Sequence, residues 1–83
     1  MLKRASTAVV LVTGCSSGIG RAICDLLATG GMTVYGGSRT TCDPSQWTHL
    51  PLDITEQGSV DAAVAEVVRR ESRLDALVAC AGM

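Results

Sequence analysis

The chain has 83 residues, fewer than the ~100–150 of an ordinary domain, and is 47% hydrophobic and 18% charged with a net charge of −1. Its mean hydropathy of +0.31 argues against disorder, because disordered chains combine low hydrophobicity with high net charge. With only two aromatic residues, Tyr35 and Trp47, and no basic surplus, the sequence gives no basis for binding nucleic acid.

A basic start followed by a short apolar run superficially resembles a signal peptide. Lys3 and Arg4 precede the apolar residues 8–12, but this run is shorter than the ~7–15 residues of a signal-peptide core. No other stretch approaches the ~20 apolar residues that span a bilayer. We therefore expect a cytoplasmic protein with no membrane partner.

The four cysteines are irregularly spaced and include no Cys-x-x-Cys pair: Cys15, Cys24, Cys42 and Cys80. Structural metal sites usually take their ligands in close pairs, and only His49 could add a further ligand. We interpret His49 as a structural residue of a strand. The pattern favours reduced thiols in a reducing compartment, and we expect no metal site.

The first half of the chain predicts a strand, a helix and a second strand. Residues 8–13 form a continuous apolar, β-branched run, which is typical of a strand buried on both faces. From Gly18 the apolar residues follow a helical period, and Gly30-Gly31 ends this helix. Its expected apolar face comprises Ile19, Ala22, Ile23, Leu26 and Leu27. Residues 33–35 predict a second strand that fades into Gly36-Gly37.

The second half repeats the alternation. A capped turn is predicted at 43–46, and the proline within 50–52 indicates a short third strand near a sheet edge. Thr55 is predicted to cap a second helix at about 56–71. Its expected apolar face comprises Val60, Ala63, Val64, Val67 and Val68. Residues 76–79 predict a fourth, buried strand, and this alternation is typical of an α/β fold with a parallel, doubly wound sheet.

A glycine-rich segment, Thr-Gly-Cys-Ser-Ser-Gly-Ile-Gly at 13–20, lies between the first strand and the first helix. Residues without a Cβ permit a tight turn and close approach of the backbone to a pyrophosphate, which the helix N-terminus also attracts. A merely tight turn is the alternative, and a Walker loop is excluded because no Gly-Lys-Ser/Thr follows. The candidate binding residues are Gly14, Ser16, Ser17, Gly18, Ile19 and Gly20.

The spacing Gly-x-x-x-Gly-x-Gly resembles the cofactor fingerprint of the short-chain dehydrogenase/reductase family, and the similarity extends from the first strand to Gly82. The resemblance implies a Rossmann-like sheet, which together with the alternating elements we expect to contain four strands in the order 3-2-1-4. Residues 1–83 would then form a partial dinucleotide-binding domain.

Two further segments carry the resemblance. Leu52-Asp53-Ile54 matches the family's strand-end aspartate, which implies that Asp53 contacts the adenine amino group and that Ile54 lies near the ring. An exposed, turn-forming residue is the alternative for Asp53. At 79–82 the family's Asn-Asn-Ala-Gly is replaced by Ala-Cys-Ala-Gly, so only Ala81 and Gly82 remain as cofactor-binding candidates.

The residues directly after the second strand indicate whether such a site prefers NAD or NADP. NAD-selective sites place an acidic residue there to hold the ribose hydroxyls, but here no carboxylate occurs before Asp43. Arg39 can bind a 2′-phosphate through a charge-assisted contact, and Ser38 can donate a hydrogen bond. A Ser/Thr-Arg pair accompanies NADP in similar reductases, so we expect NADP rather than NAD.

The family's Ser and Tyr-x-x-x-Lys set has no counterpart here, because the only tyrosine is Tyr35 and the only lysine is Lys3. We expect no catalytic residue, no turnover by the chain alone, and self-association through the fourth-strand edge. The resemblance implies the NADP(H)-binding portion of an oxidoreductase that reduces carbonyls or oxidises alcohols. A stand-alone nucleotide-binding module and a non-functional remnant are the alternatives.

Overall fold

A computed structural model describes residues 8–16, 18–40 and 46–80 of the chain. Strands and helices alternate along them: β1 (Val9–Thr13), α1 (Gly18–Thr29), β2 (Thr33–Ser38), β3 (Thr48–Pro51), α2 (Gln57–Glu71) and β4 (Ala76–Ala79). The strand pairs are all parallel, and their order is β3-β2-β1-β4. The predicted doubly wound, Rossmann-like sheet with order 3-2-1-4 is therefore confirmed.

β1 lies at the centre of the sheet because its side chains are apolar on both faces, and all five of its residues are buried. One face packs against α2 in a core made of Val9, Leu11, Tyr35, Leu50, Leu52, Ala63 and Val67. The other face packs against α1 in a core made of Val10, Val12, Cys15, Cys24, Val34 and Trp47. The two helices thus cover opposite faces of the sheet.

β2 does not fade at its glycines but continues through them to Ser38, so its predicted end was too early. Gly36 is required by packing, since a Cβ there would contact the Trp47 ring and lie 2.8 Å from the Cβ of Cys15. A Cβ at Gly37 would lie 2.8 Å from Leu52. These glycines let other side chains pack directly onto the backbone of β2.

The outer strands also differ from the prediction. β3 begins two residues earlier than expected, because its ladder with β2 starts at the pair Tyr35 and Thr48 and ends at Ser38 and Pro51. β4 was predicted to be buried, but its residues are largely exposed, and Leu77 is 49% exposed. The structure places no described strand on its outer side, so only one edge of β4 is paired.

The buried stripe of α1 overlaps the predicted one only in part. Gly20 and Cys24 are its buried residues, and Ile23 and Leu27 pack against the same core, as expected. Ile19 and Leu26 are 61% and 71% exposed instead. Beside this helix the Trp47 indole N–H donates to Asp25 (2.8 Å). α1 ends as predicted before Gly30-Gly31, and Gly31 has a left-handed φ of 95°.

α2 begins at Gln57 with Glu56 as its N-cap, and no side chain caps it. The predicted Thr55 cap is wrong because the Thr55 hydroxyl instead donates to the Asp53 carboxylate (2.6 Å). Ala63 and Val67 are buried as expected, but Val68 lies at the margin and is 42% exposed.

Among the described residues, neither helix is long and apolar enough to cross a membrane. None of Cys15, Cys24 and Cys80 forms a disulfide with another described residue. Cys42 and most of the predicted turn at 43–46 lie outside the described residues.

Candidate functional site

The glycine-rich segment is held against the carboxyl end of β2. The backbone N–H groups of Gly14 and Cys15 both donate to the Gly37 carbonyl, at 2.8 and 3.2 Å. Gly14 has a φ of 79°, a left-handed conformation that glycine adopts without steric cost. The chain therefore turns directly from β1 into α1 at the edge where β1 and β2 end.

Gly18 begins α1 and is exposed. Apart from its own turn of chain, no described residue has an atom within 4 Å of a Cβ added to Gly18, and Gly18 does not have a left-handed φ. Among the described residues, neither folding strain nor packing therefore requires a glycine at this position. Ser16 and Ile19 are exposed beside it, while Gly20 is buried. The first N–H groups of α1, which are the groups that bind an anion at a helix N-terminus, begin here.

Arg39 extends from the end of β2 at the same edge of the sheet. It is exposed, and no hydrogen bond ties its side chain to another described residue. Ser38 is only 5% exposed, and its hydroxyl donates to the Thr40 carbonyl oxygen (2.5 Å). In this arrangement Arg39, rather than the Ser38 hydroxyl, presents an available donor group to a ligand.

Asp53 lies just beyond β3, where the sequence predicted a strand-end aspartate. Its Oδ1 accepts hydrogen bonds from the Thr55 backbone N–H (3.0 Å) and hydroxyl (2.6 Å), and its own N–H donates to Ser59 (2.8 Å). The bonds from Thr55, with a smaller contribution from the Arg39 charge, hold the pKa of Asp53 below its usual range. The carboxylate is therefore ionised at neutral pH and turned toward the edge that carries Arg39.

Asp53 forms the turn that leads into α2, which agrees with the turn-forming alternative. Its Oδ2 makes no hydrogen bond to another described residue. Ile54 beside it is 45% exposed. An ionised acceptor next to an exposed apolar side chain fits the amino group and flat face of an adenine ring.

The ends of β1 and β4 complete this edge of the sheet. The Cys80 N–H donates to the Thr13 carbonyl (3.1 Å), and the buried Thr13 hydroxyl has no hydrogen-bond partner among the described residues. Ser17, Ala81 and Gly82, also predicted to bind the cofactor, lie outside the described residues.

The structure thus brings three predicted regions to one edge: the glycine-rich segment, Arg39 and Asp53. His49, interpreted from the sequence as a structural residue of a strand, lies in β3, and its Nε2 lies 3.0 Å from the Ser38 hydroxyl, a contact that the sequence did not indicate. No local pattern links residues 11 positions apart on different strands, and only the pairing register of β2 with β3 places them together.

Comparison with known proteins agrees with this geometry. The family model described as short chain dehydrogenase matches residues 8–83. The 3-ketodihydrosphingosine reductase of Bacteroides thetaiotaomicron is 36% identical over 76 residues, which cover 90% of this chain and 28% of that enzyme. The NADPH-dependent 3-dehydrocapnine reductase of Ornithobacterium rhinotracheale is 38% identical over 65 residues, covering 69% of this chain and 23% of that enzyme.

Solved structures give the same result. The ligand-free aldohexose dehydrogenase of Thermoplasma acidophilum superposes with a TM-score of 0.87 at 31% identity, covering 93% of this chain and 30% of that one. The 3-ketoacyl-(acyl-carrier-protein) reductase of Brucella melitensis, solved with NADH, has a TM-score of 0.76 at 27% identity, covering 84% of this chain and 32% of that one.

The chain belongs to the short-chain dehydrogenase family, whose members are oxidoreductases that use nicotinamide dinucleotides. It spans about a third or less of the length of these relatives. The matched third contains the glycine-rich segment, Arg39 and Asp53.

Proposed function

We propose that residues 1–83 form the part of a dinucleotide-binding domain that holds the adenosine and pyrophosphate of NADP(H). The domain would serve an oxidoreductase that reduces carbonyls or oxidises alcohols. The observation that carries the proposal is an exposed glycine, Gly18, that no packing against described residues requires, in a segment hydrogen-bonded to the end of β2. The α1 N-terminus would bind the pyrophosphate there, and Asp53 would accept a hydrogen bond from the adenine amino group.

The preference for NADP(H) is supported by the charge at the end of β2. Arg39 is exposed there, and no acidic residue follows Ser38 within the described segment to hold two ribose hydroxyls. A guanidinium can form a bidentate, charge-assisted contact with a phosphate. The relatives include one named for NADPH and one solved with NADH, so the argument rests on Arg39 itself.

Calorimetric titration of the chain with NADPH and with NADH tests this proposal. We expect tighter binding of NADPH, and Arg39→Asp should weaken it about 10- to 100-fold, because a charge-assisted hydrogen bond contributes roughly 1.5–3 kcal/mol. Arg69→Asp is the matched control, since Arg69 lies in the last turn of α2, at the opposite edge of the sheet. Equal affinities for both dinucleotides, unchanged in Arg39→Asp, would exclude Arg39 from the site.

We also infer that the chain associates with itself through β4. This edge strand is short, largely exposed and uncharged, and such edges readily pair with another chain. Leu77 projects an exposed apolar side chain from it, which association would remove from water.

A further inference from the structure

Four polar groups meet behind the glycine-rich segment, with the Ser38 hydroxyl at their centre. The Cys15 thiol donates a hydrogen bond to the Ser38 Oγ (3.4 Å). The His49 Nε2 lies 3.0 Å from the same oxygen. The Ser38 hydroxyl itself donates to the Thr40 carbonyl oxygen at 2.5 Å. We call these four residues the Ser38 cluster.

The hydrogen count of the Ser38 cluster assigns a role to His49. A hydroxyl has one proton and two lone pairs, and a carbonyl oxygen can only accept, so Ser38 must give its proton to Thr40. Its lone pairs are then available to accept from Cys15 and, in the tautomer that carries the proton on Nε2, from His49. Several partners thus hold this buried hydroxyl.

The Ser38 cluster joins three parts of the candidate site. Cys15 belongs to the glycine-rich segment, His49 to β3, and Ser38 and Thr40 flank Arg39 on both sides. Gly36 lets Trp47 and Cys15 pack directly against the backbone of β2 beside the cluster, because a Cβ at Gly36 would contact both residues. Arg39 has no hydrogen bond to a described residue, so the flanking backbone sets the position and direction from which its side chain extends.

We propose that His49 is a positioning residue for cofactor selectivity: its Nε2–H holds the Ser38 hydroxyl on the Thr40 carbonyl and so fixes the backbone that presents Arg39 to a 2′-phosphate. The inference rests on the proposed NADP(H) function. A histidine that merely fills space beside β2 would affect stability without changing the ratio of NADPH to NADH affinity.

Three variants of β3 separate these roles. His49→Leu removes the donor, His49→Gln keeps an N–H at similar reach, and Thr48→Val changes the neighbouring exposed residue as a control. Dissociation constants for NADPH and NADH are measured by calorimetry for each variant. We expect the NADPH preference to fall about tenfold in His49→Leu, to be largely restored in His49→Gln and to be unchanged in Thr48→Val. An unchanged preference in His49→Leu overturns the inference.

A second measurement needs no cofactor and no stable His49→Leu chain. The ¹⁵N heteronuclear NOE of the Arg39 and Thr40 amides should fall in Ser38→Ala, which breaks the cluster at its centre, and stay high in Thr48→Val. Where His49→Leu folds, the double variant Ser38→Ala/His49→Leu should lower these NOE values no further than either single variant, since both substitutions remove the same contact. Rigid Arg39 and Thr40 amides in Ser38→Ala overturn the inference.

The two proposals fail in different ways. If the unaltered chain binds NADPH and NADH equally and Arg39→Asp changes nothing, the proposed cofactor preference is wrong, and the selectivity role of His49 is wrong with it. If Arg39→Asp abolishes an NADPH preference that His49→Leu leaves intact, the proposed function stands and only the role of His49 is overturned.

Discussion

Replacing Gly18 by alanine separates the demands of folding from those of ligand binding. The added methyl would meet no atom of another described residue within 4 Å, and the backbone at Gly18 has no left-handed φ. Alanine is favoured over glycine within a helix by roughly 0.5–1 kcal/mol, and less at the first helical position. Gly18→Ala should therefore fold as well as the unaltered chain, with a melting temperature that is equal or a few degrees higher.

Binding should respond in the opposite direction. The methyl would occupy the space through which a pyrophosphate reaches the N–H groups at the start of α1. Losing even one hydrogen bond to a charged ligand costs roughly 1.5–3 kcal/mol, so NADPH and NADH affinities should both fall about tenfold or more. The assay pairs thermal denaturation with calorimetric titration of each dinucleotide.

Gly58 provides the matched control. It lies in the first turn of α2, and a Cβ there would also meet no atom of another described residue within 4 Å. Gly58→Ala should raise stability by a similar amount and leave dinucleotide affinity unchanged. If Gly18→Ala binds NADPH as tightly as the unaltered chain, the α1 N-terminus beside Gly18 is not the pyrophosphate site. If it unfolds the chain, the glycine is needed for folding.

Two further predictions concern stability and association. The Tyr35 hydroxyl donates a hydrogen bond to Glu71. Burial, as the larger cause, and this hydrogen bond raise the pKa of Tyr35 above its ordinary 10.0. The contribution of Tyr35 to the free energy of unfolding should thus be complete below pH 10 and decline as pH rises through the raised pKa. In urea denaturation, Tyr35→Phe should lack this alkaline decline, and parallel curves of stability against pH for the two chains would refute the prediction. Leu77→Lys should reduce concentration-dependent association in sedimentation equilibrium, whereas Val68→Lys, at another exposed apolar position, should not. An unaltered chain that is monomeric at every concentration would contradict an interface at β4.

The sheet was predictable because strand-forming and helix-forming periods alternate along the chain. The β-branched run of β1 and the glycine-rich segment after it together specify a central parallel strand that leads into a helix. Element boundaries were less predictable. Gly36 and Gly37 looked like the end of β2, but neighbouring side chains pack onto their bare backbone and keep the strand intact.

Local polar patterns were ambiguous where two partners compete. Thr55 had the sequence context of a helix cap, yet its hydroxyl binds Asp53 because the Asp53 carboxylate lies two residues back in the same turn. The stripe that α1 buries depended on packing against Trp47, which is distant from the helix in sequence. The Ser38 cluster similarly depends on sheet register, which a single sequence does not reveal.

The central position of β1 has a consequence for the order of folding. Its ladder with β4 joins Val10 to Ala76, and at the start of that ladder the Val9 N–H donates to Asp75, 66 residues away. The β2 and β3 ladder joins Tyr35 to Thr48, a much shorter loop. Because the entropy lost in closing a loop grows with its length, and parallel ladders of distant segments form slowly, β4 is the most costly strand to add. Until β4 docks, one edge of the apolar β1 stays open, so we expect the docking of β4 to be the folding step most exposed to intermolecular pairing.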